Sequence, residues 1–264
     1  MPLQNHKQSF SSNNILWDPK KKPKIIVVMP AYNAEKTIKK TYDDLPKDLT
    51  SDVILVDDAS RDQTVQKAKN LGITVYIHKE NRGYGGNQKT CYDQAIKRNP
   101  DVVVMVHPDY QYDAKLVGVL CEPIVNGRAD VMLGSRIQTR RQVLAGGMPL
   151  YKYFSNRFLT LVENLAMGLN LSEYHTGFRA YSSDVLKTIP YHKFSDDFVF
   201  DQQILISALS FGFNISEVPV TCKYFAEASS INFKRSTKYG IQTLWTVFLY
   251  LANQIGLVRS GVFK

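Results

Sequence analysis

Apolar residues in the first half of the chain fall in short dense runs, separated by breaks rich in glycine, proline and polar side chains. Lys24–Met29, Asp52–Val56, Ile73–His78, Val102–Val106 and Asp130–Leu133 each read as a strand. The run Val102-Val103-Val104-Met105-Val106 has no polar alternation, the pattern of a strand covered on both faces of a parallel sheet. Helical spacing between the runs predicts helices over Glu35–Leu45, Asp62–Leu71, Asn87–Arg98 and Ala114–Val125, with Asn81–Gly86 a glycine-rich loop. Strands alternating with helices at this spacing imply βαβ units, hence an α/β fold with a mostly parallel central sheet flanked by helices.

Beyond about residue 137 the texture changes. Arg140-Arg141 and Gly146-Gly147 read as a loop, and Tyr151–Gly168 as an amphipathic helix with Phe154, Phe158, Leu161 and Leu165 at helical spacing. Glu173–Tyr181 reads as a short strand or extended segment and Asp197–Ser210 as a helix. Ile215–Tyr224 carries Pro219, which predicts an edge strand. Lys234–Gly256 is a long last helix with a broad apolar face of Ile241, Leu244, Trp245, Phe248, Leu249 and Leu251. Its strongest run, Leu244–Ala252, falls short of the roughly 20 apolar residues that a membrane-spanning helix needs. Such a helix either packs on the domain or lies on a bilayer surface. The expected organisation is a polar arm over residues 1–23, with Leu16 and Trp17 docking on the body, a domain over 24–233, and the last helix and tail over 234–264.

With 264 residues, 44% of them hydrophobic, the chain is long enough for one large α/β domain with a substantial core. A formal charge of +9 favours anionic partners: nucleotides, phospholipid surfaces or nucleic acid. No basic block longer than Lys20-Lys21-Lys22 and no aromatic-basic interleaving is present, so nucleic acid is not the expected partner. Cys91, Cys121 and Cys222 are an odd number without a CxxC pair, which argues for a reducing compartment and against a disulfide framework or zinc site. The N-terminus has no apolar core of a signal peptide, so a cytoplasmic location is expected, in solution or at the inner face of a membrane.

The candidate chemistry lies where the strands stop. Pro30-Ala31-Tyr32-Asn33 follows the first strand, Asp57-Asp58 the second, Asn81-Arg82-Gly83-Tyr84-Gly85-Gly86 the third, His107–Asp113 the fourth and Gly134-Ser135-Arg136 the fifth. Ligands of open α/β sheets bind past the carboxyl ends of the strands. Oxygen-rich side chains there, Asp109 and Gln111 above all, suit a hard cation such as Mg²⁺ or Mn²⁺. Taken alone, the segment after the fourth strand reads equally well as a polar turn. Gly83-Tyr84-Gly85-Gly86-Asn87-Gln88 imitates a dinucleotide-binding loop, but the last glycine of that fingerprint is Gln88 and the loop follows the third strand, which excludes the dehydrogenase reading.

Val27–Glu35, Ile54–Thr64, Asn81–Gly85, Gly134–Arg136, Thr176-Gly177-Phe178-Arg179 and Glu217–Val220 together resemble family 2 glycosyltransferases of the GT-A fold, in the dolichyl-phosphate mannosyltransferase-like branch. The resemblance spans roughly Lys24 to Phe233 and implies inverting transfer of a hexose from a GDP- or UDP-linked donor, with Mn²⁺ or Mg²⁺. By position it places Pro30, Tyr32, Asn33, Glu35 and Gly83 at the nucleotide pocket, Asp57 on the base or ribose, and Asp58 in support. The branch's Asp-x-Asp-x-Gln motif appears as His107-Pro108-Asp109-Tyr110-Gln111. Asp109 and Gln111 match it, and His107 replaces the first acid, as a metal ligand, a phosphate contact or a strand cap.

Arg136 would meet phosphate oxygens with its guanidinium fork. Arg179 either holds that region or forms an internal ion pair. Asp197 and Asp201 compete as the base, with Asp197 alternatively a helix cap. The branch's Phe-x-Phe-Asp-x-Glu ends here on Gln203. A polyprenyl phosphate at a membrane surface is the expected acceptor. A soluble transferase acting on a hydroxyl, and a binding module without turnover, are the alternatives.

Overall fold

The computed structural model describes residues 22–137, 143, 147–222 and 233–264. The expected arm, Leu16, Trp17, Arg140, Arg141 and the last residues of the Ile215–Tyr224 segment lie outside the described residues.

Seven strands form one sheet in the order β3-β2-β1-β4-β6-β5-β7. They are β1 (Ile25–Ala31), β2 (Thr50–Asp57), β3 (Thr74–Ile77), β4 (Val102–Met105), β5 (Val131–Ser135), β6 (Arg179–Ser182) and β7 (Ile215–Pro219). The first four run parallel to one another, with β1 flanked by β2 and β4. β6 is antiparallel to both β4 and β5, and β7 returns parallel to β5. The expected mostly parallel sheet is present. The valine run forms its middle strand, and the strand with Pro219 lies at an edge.

Every residue of β1 is buried, and its side chains alternate between two cores. Ile26 and Val28 join Ile54, Val56, Val103 and Met105 on one face of the sheet. Ile25, Val27 and Met29 join Leu55, Val102 and Val104 on the other. A strand buried on both faces needs no polar alternation, which is why these runs read as continuous apolar sequence.

The helices are α1 (Ile38–Asp43), α2 (Thr64–Asn70), α3 (Gly83–Ile96), α4 (Val117–Val125), α5 (Leu150–Met167), α6 (Ser183–Thr188), α7 (Phe200–Ser210) and α8 (Phe233–Gln254). Two differences from the expected elements matter for the site. The glycine-rich segment is the first turn of α3 instead of a free loop, and only the end of the Glu173–Tyr181 segment is a strand. Among the described residues no helix is long and apolar enough to cross a membrane.

Candidate active site

β2, β1 and β4 are neighbours, so their three carboxyl-end loops share one rim. Each loop contains a non-glycine residue in the left-handed region: Ala59 at φ 60°, Asn33 at φ 51° and Tyr110 at φ 61°. Backbone of this kind is costly and persists where its surroundings fix it, typically beside ligands.

The fixing contacts are explicit. Asn33 Oδ1 accepts from Arg61 N at 2.9 Å, and Asn33 N donates to Ser60 Oγ at 2.8 Å. Glu35 Oε2 accepts from Gln63 N at 3.0 Å, which ties the β1 loop to the β2 loop again. Thr37 Oγ1 donates to the Pro108 carbonyl at 2.5 Å and ties it to the β4 loop. Of the four residues expected at the nucleotide pocket from this stretch, Asn33 and Glu35 therefore act on the loops themselves. Pro30 lies within β1, buried and paired with Val56. Tyr32 is half exposed and presents its ring at the rim.

Asp57 and Asp58 divide sharply. Asp58 Oδ1 accepts from Arg82 N at 2.8 Å and faces His78 Nδ1 at 2.7 Å, while Oδ2 accepts from Gly83 N at 3.1 Å. Its carboxylate thus anchors the start of α3, and the Gly83 N–H is occupied. Asp57 uses Oδ2 to accept from Ser60 N at 2.9 Å. Among the described residues its Oδ1 is buried with no hydrogen-bond partner. A buried carboxylate oxygen without a donor costs free energy, and a ligand N–H or O–H would recover it.

The glycines of α3 serve close packing. Gly85 N donates to the Asp196 carbonyl at 2.7 Å. A Cβ on Gly85 would lie 2.5 Å from the Ser195 carbonyl oxygen and 2.8 Å from Phe200 Cβ, so no larger residue fits. Lys89 fixes the same segment through Asp196 Oδ1 at 2.8 Å, and Gln203 accepts from Ser195 N at 2.7 Å. The amide found where the branch has an acid is therefore a backbone anchor.

His107 is half buried and stacks on Tyr84, with ring centroids 5.4 Å apart and planes inclined by 9°. Tyr84 Oη lies 3.2 Å from His107 Nε2 and donates to Asp201 Oδ2 at 2.8 Å. Asp201 Oδ1 accepts from Gln88 Nε2 at 3.0 Å. Burial lowers the pKa of the His107 imidazole against the pull of Asp109 and Asp201, and burial with the Asp201 charge raises that of Tyr84 well above its ordinary value. Gly177 presses on His107: a Cβ there would come within 2.9 Å of the ring.

Arg179 is fully buried and donates to the carbonyls of Thr176 (2.6 Å), Asp201 (2.6 Å) and Tyr174 (2.8 Å). Its Nη2 also lies 3.8 Å from Asp201 Oδ2, an internal ion pair. Asp197 differs from Asp201. It keeps solvent access and pairs with Lys238 of α8 at 2.6 Å. Burial pushes its carboxyl up, but the Lys238 hydrogen bond and charge hold it below its ordinary value.

Arg136 does not present the free fork that the sequence suggests. Its Nε donates to Glu173 Oε1 at 2.9 Å, its backbone N donates to Glu173 Oε2 at 2.8 Å, and Nη2 reaches the His175 carbonyl at 2.8 Å. Glu173 is fully buried and also accepts from Asn156 Nδ2 at 2.8 Å. Arg136 is thus built into the scaffold beside β5. Glu173, Tyr84 and Asn156 are site residues that the sequence reading did not single out. Tyr84 had a visible signal as the aromatic inside the glycine motif.

The Asp109 carboxylate closes its own turn, with Oδ1 accepting from Gln111 N at 3.1 Å, and Tyr110 Oη donates to Asp44 at 3.0 Å. Gln111 is buried and Asp109 half buried. Among the described residues no three His, Cys, Asp or Glu side chains converge on a common point for a metal. A carboxylate and an amide are oxygen donors of the kind a Mg²⁺-type ion takes together with phosphates and water.

The sequence pattern of glycosyl transferase family 2 matches residues 26–189, which carry β1 to β6 and the rim just described. The chain is a family 2 glycosyltransferase. An uncharacterized protein of Methanocaldococcus jannaschii is 32% identical over 203 residues, covering 77% of this glycosyltransferase and 83% of the relative. The UDP-N-acetylglucosamine–dolichyl-phosphate N-acetylglucosaminyltransferase of Methanococcus voltae is 28% identical, covering 76% of this chain and 86% of its own. Glucosyl-3-phosphoglycerate synthase from Mycobacterium tuberculosis, solved with Mn²⁺ and UDP-glucose, superposes with a TM-score of 0.67 at 20% identity over 90% of this chain and 81% of that one. That likeness is one of fold, and it agrees with the expected GT-A architecture.

Proposed function

We propose that this glycosyltransferase moves a hexose, with inversion, from a GDP- or UDP-linked donor to the phosphate of a polyprenyl phosphate at the inner face of a membrane. The observation that carries the donor half is the unpartnered, buried Oδ1 of Asp57 at the rim of β2 and β1. A carboxylate oxygen there accepts from a base N–H or a ribose hydroxyl. Tyr32, which follows the neighbouring strand β1, supplies an exposed ring. Asp109 and Gln111 would hold a Mn²⁺ or Mg²⁺ ion, which when bound neutralises the leaving diphosphate.

The acceptor half rests on three features. The Methanococcus voltae relative is named for a dolichyl-phosphate acceptor. A phosphate acceptor is already ionised and needs no strong base, which suits Asp201, whose oxygens are engaged by Tyr84 and Gln88, and Asp197, whose pKa is lowered by Lys238. An open depression of about 540 Å³ along α8 is lined by Lys234, Thr237, Lys238, Ile241 and Gln242, and Lys238 also pairs with Asp197. The second reading, a hydroxyl acceptor, is favoured by the solvent access of Asp197, the one candidate base open to a substrate proton.

Incubation with labelled nucleotide sugars, Mn²⁺ and polyprenyl phosphate dispersed in detergent tests the proposal. Label is expected in the lipid. Label that stays out of the lipid with every donor, while nucleotide binding persists, refutes the acceptor.

A further inference from the structure

Helices α5 and α8 pack on each other, with Leu159 Cδ1 3.8 Å from where a Cβ would stand on Gly240, and each turns large apolar side chains outward. On α5 the buried stripe carries Asn156, Thr160 and Glu163 together with Leu159 and Met167. The apolar stripe of Phe154, Phe158, Leu161 and Leu165 faces outward, with Leu165 77% exposed. On α8, Thr243 and Thr246 are buried, while Ile241, Trp245, Phe248 and Leu251 face outward, with Trp245 59% exposed. The periodicity expected for these helices is present: Leu159 and Met167 of α5 and Val247, Leu249 and Ala252 of α8 turn inward, while most of each expected apolar stripe is turned outward.

Two of the inward polar groups on α5 meet side chains outside their own helix. Asn156 donates to Glu173, the partner of Arg136. Glu163 Oε2 lies 3.2 Å from His175 Nε2, and His175 Nδ1 faces Tyr239 Oη at 2.8 Å. The outward stripes are left as an apolar surface across two neighbouring helices, far more than scattered exposed side chains explain.

We infer that this two-helix face docks on an anionic lipid bilayer. Charge selects that occupant. Glu163 is the only acid in either helix and is fully buried, whereas Lys152, Arg157, Lys234, Arg235 and Lys238 flank the apolar stripes. Large apolar and aromatic groups bordered by lysine and arginine are the composition of a helix lying in a lipid interface. The same helices touch the site, through Asn156 to Glu173 and through Lys238 to Asp197, so docking would bring a lipid-borne acceptor to the depression at Lys234 and Lys238. This last point rests on the proposed acceptor; the docking surface does not.

Trp17 and Trp245 are the two tryptophans, so Trp17→Phe leaves Trp245 as the sole reporter. Phosphatidylcholine vesicles containing phosphatidylglycerol should shift its emission to the blue, and acyl-brominated lipid should quench it. The outward pair Leu161→Ser/Leu165→Ser on α5, and separately Phe248→Ser on α8, should each weaken vesicle binding at least about tenfold while circular dichroism and melting stay unchanged. Emission that ignores vesicles overturns the inference, whether a second copy covers the face, seen as a doubled mass in solution, or the N-terminal arm does, seen as blue emission at any dilution. In transfer assays the α5 variant should lose activity on acceptor embedded in vesicles and keep it on acceptor in detergent. Equal activity in both settings overturns docking, and no transfer in either with intact vesicle binding overturns only the acceptor.

Discussion

Replacing Asp57 by Asn separates a ligand-binding carboxylate from a structural one. The amide oxygen of Asn can keep the bond from Ser60 N that Oδ2 now accepts. Its NH₂ then takes the place of the unpartnered Oδ1, and a buried charge disappears. Fold stability should therefore change by no more than about 1 kcal/mol, the size of one neutral hydrogen bond. A nucleoside donor would instead face an N–H where it needs an acceptor. A hydrogen bond to a charged group contributes roughly 1.5–3 kcal/mol, so the affinity for UDP or GDP should fall by about 10- to 150-fold. Calorimetric titration of nucleotide with Mn²⁺, paired with a thermal melt, reads both quantities. Unchanged affinity in a stable variant would refute the assignment of Oδ1 to the ligand. Loss of affinity in step with loss of stability would make Asp57 a scaffold residue like its neighbour Asp58.

Three further perturbations test other parts of the account. Asp109→Ala should remove the dependence of nucleotide affinity on Mn²⁺, and titrations with and without the ion that still differ would remove the metal role. Gly85→Ala places a methyl 2.5 Å from the Ser195 carbonyl and should cost about 1–3 kcal/mol, read as a lower denaturation midpoint; a wild-type midpoint would show that the α3 contact yields freely. Glu173 is buried, which raises its carboxyl pKa, but Arg136 lowers it further, to a net value below the ordinary one of about 4.5. A carboxyl depressed on folding contributes stability above its unfolded pKa and loses it as the pH falls through the folded one. Wild-type stability should therefore drop as the pH is lowered below about 4.5, and Glu173→Gln should flatten that slope while costing about 3 kcal/mol near neutrality, measured by urea unfolding across pH.

The sheet was legible because β1, β2 and β4 are continuous apolar runs that only a doubly covered strand tolerates. Pro219 marked β7 as an edge for an equally local reason, its missing N–H. β6 was harder. It is four residues long, begins with a buried arginine, and owes its place to pairing with β4 and β5. For α5 and α8, periodicity reveals an amphipathic helix but carries no information on which stripe faces the body. The inward stripe of α5 meets groups that periodicity cannot reveal, such as Glu173 beside Asn156.

The site shows the same limit. Asp57 and Asp58 are adjacent and chemically equal, and their roles separate only through His78, Arg82 and Gly83, which reach Asp58 alone. Arg136 in Gly-Ser-Arg reads as a phosphate fork until Glu173 is brought against it. Side chains whose function depends on the backbone they sit in were legible; those whose function depends on a distant partner were not.

The central claim is that the rim of β2, β1 and β4 binds a sugar nucleotide. A crystal structure with UDP or GDP and Mn²⁺ tests it most directly. The account requires a base or ribose donor on Asp57 Oδ1 and a cation shared between the diphosphate and Asp109. Nucleotide bound elsewhere, with Asp57 Oδ1 still lacking a partner, would contradict it.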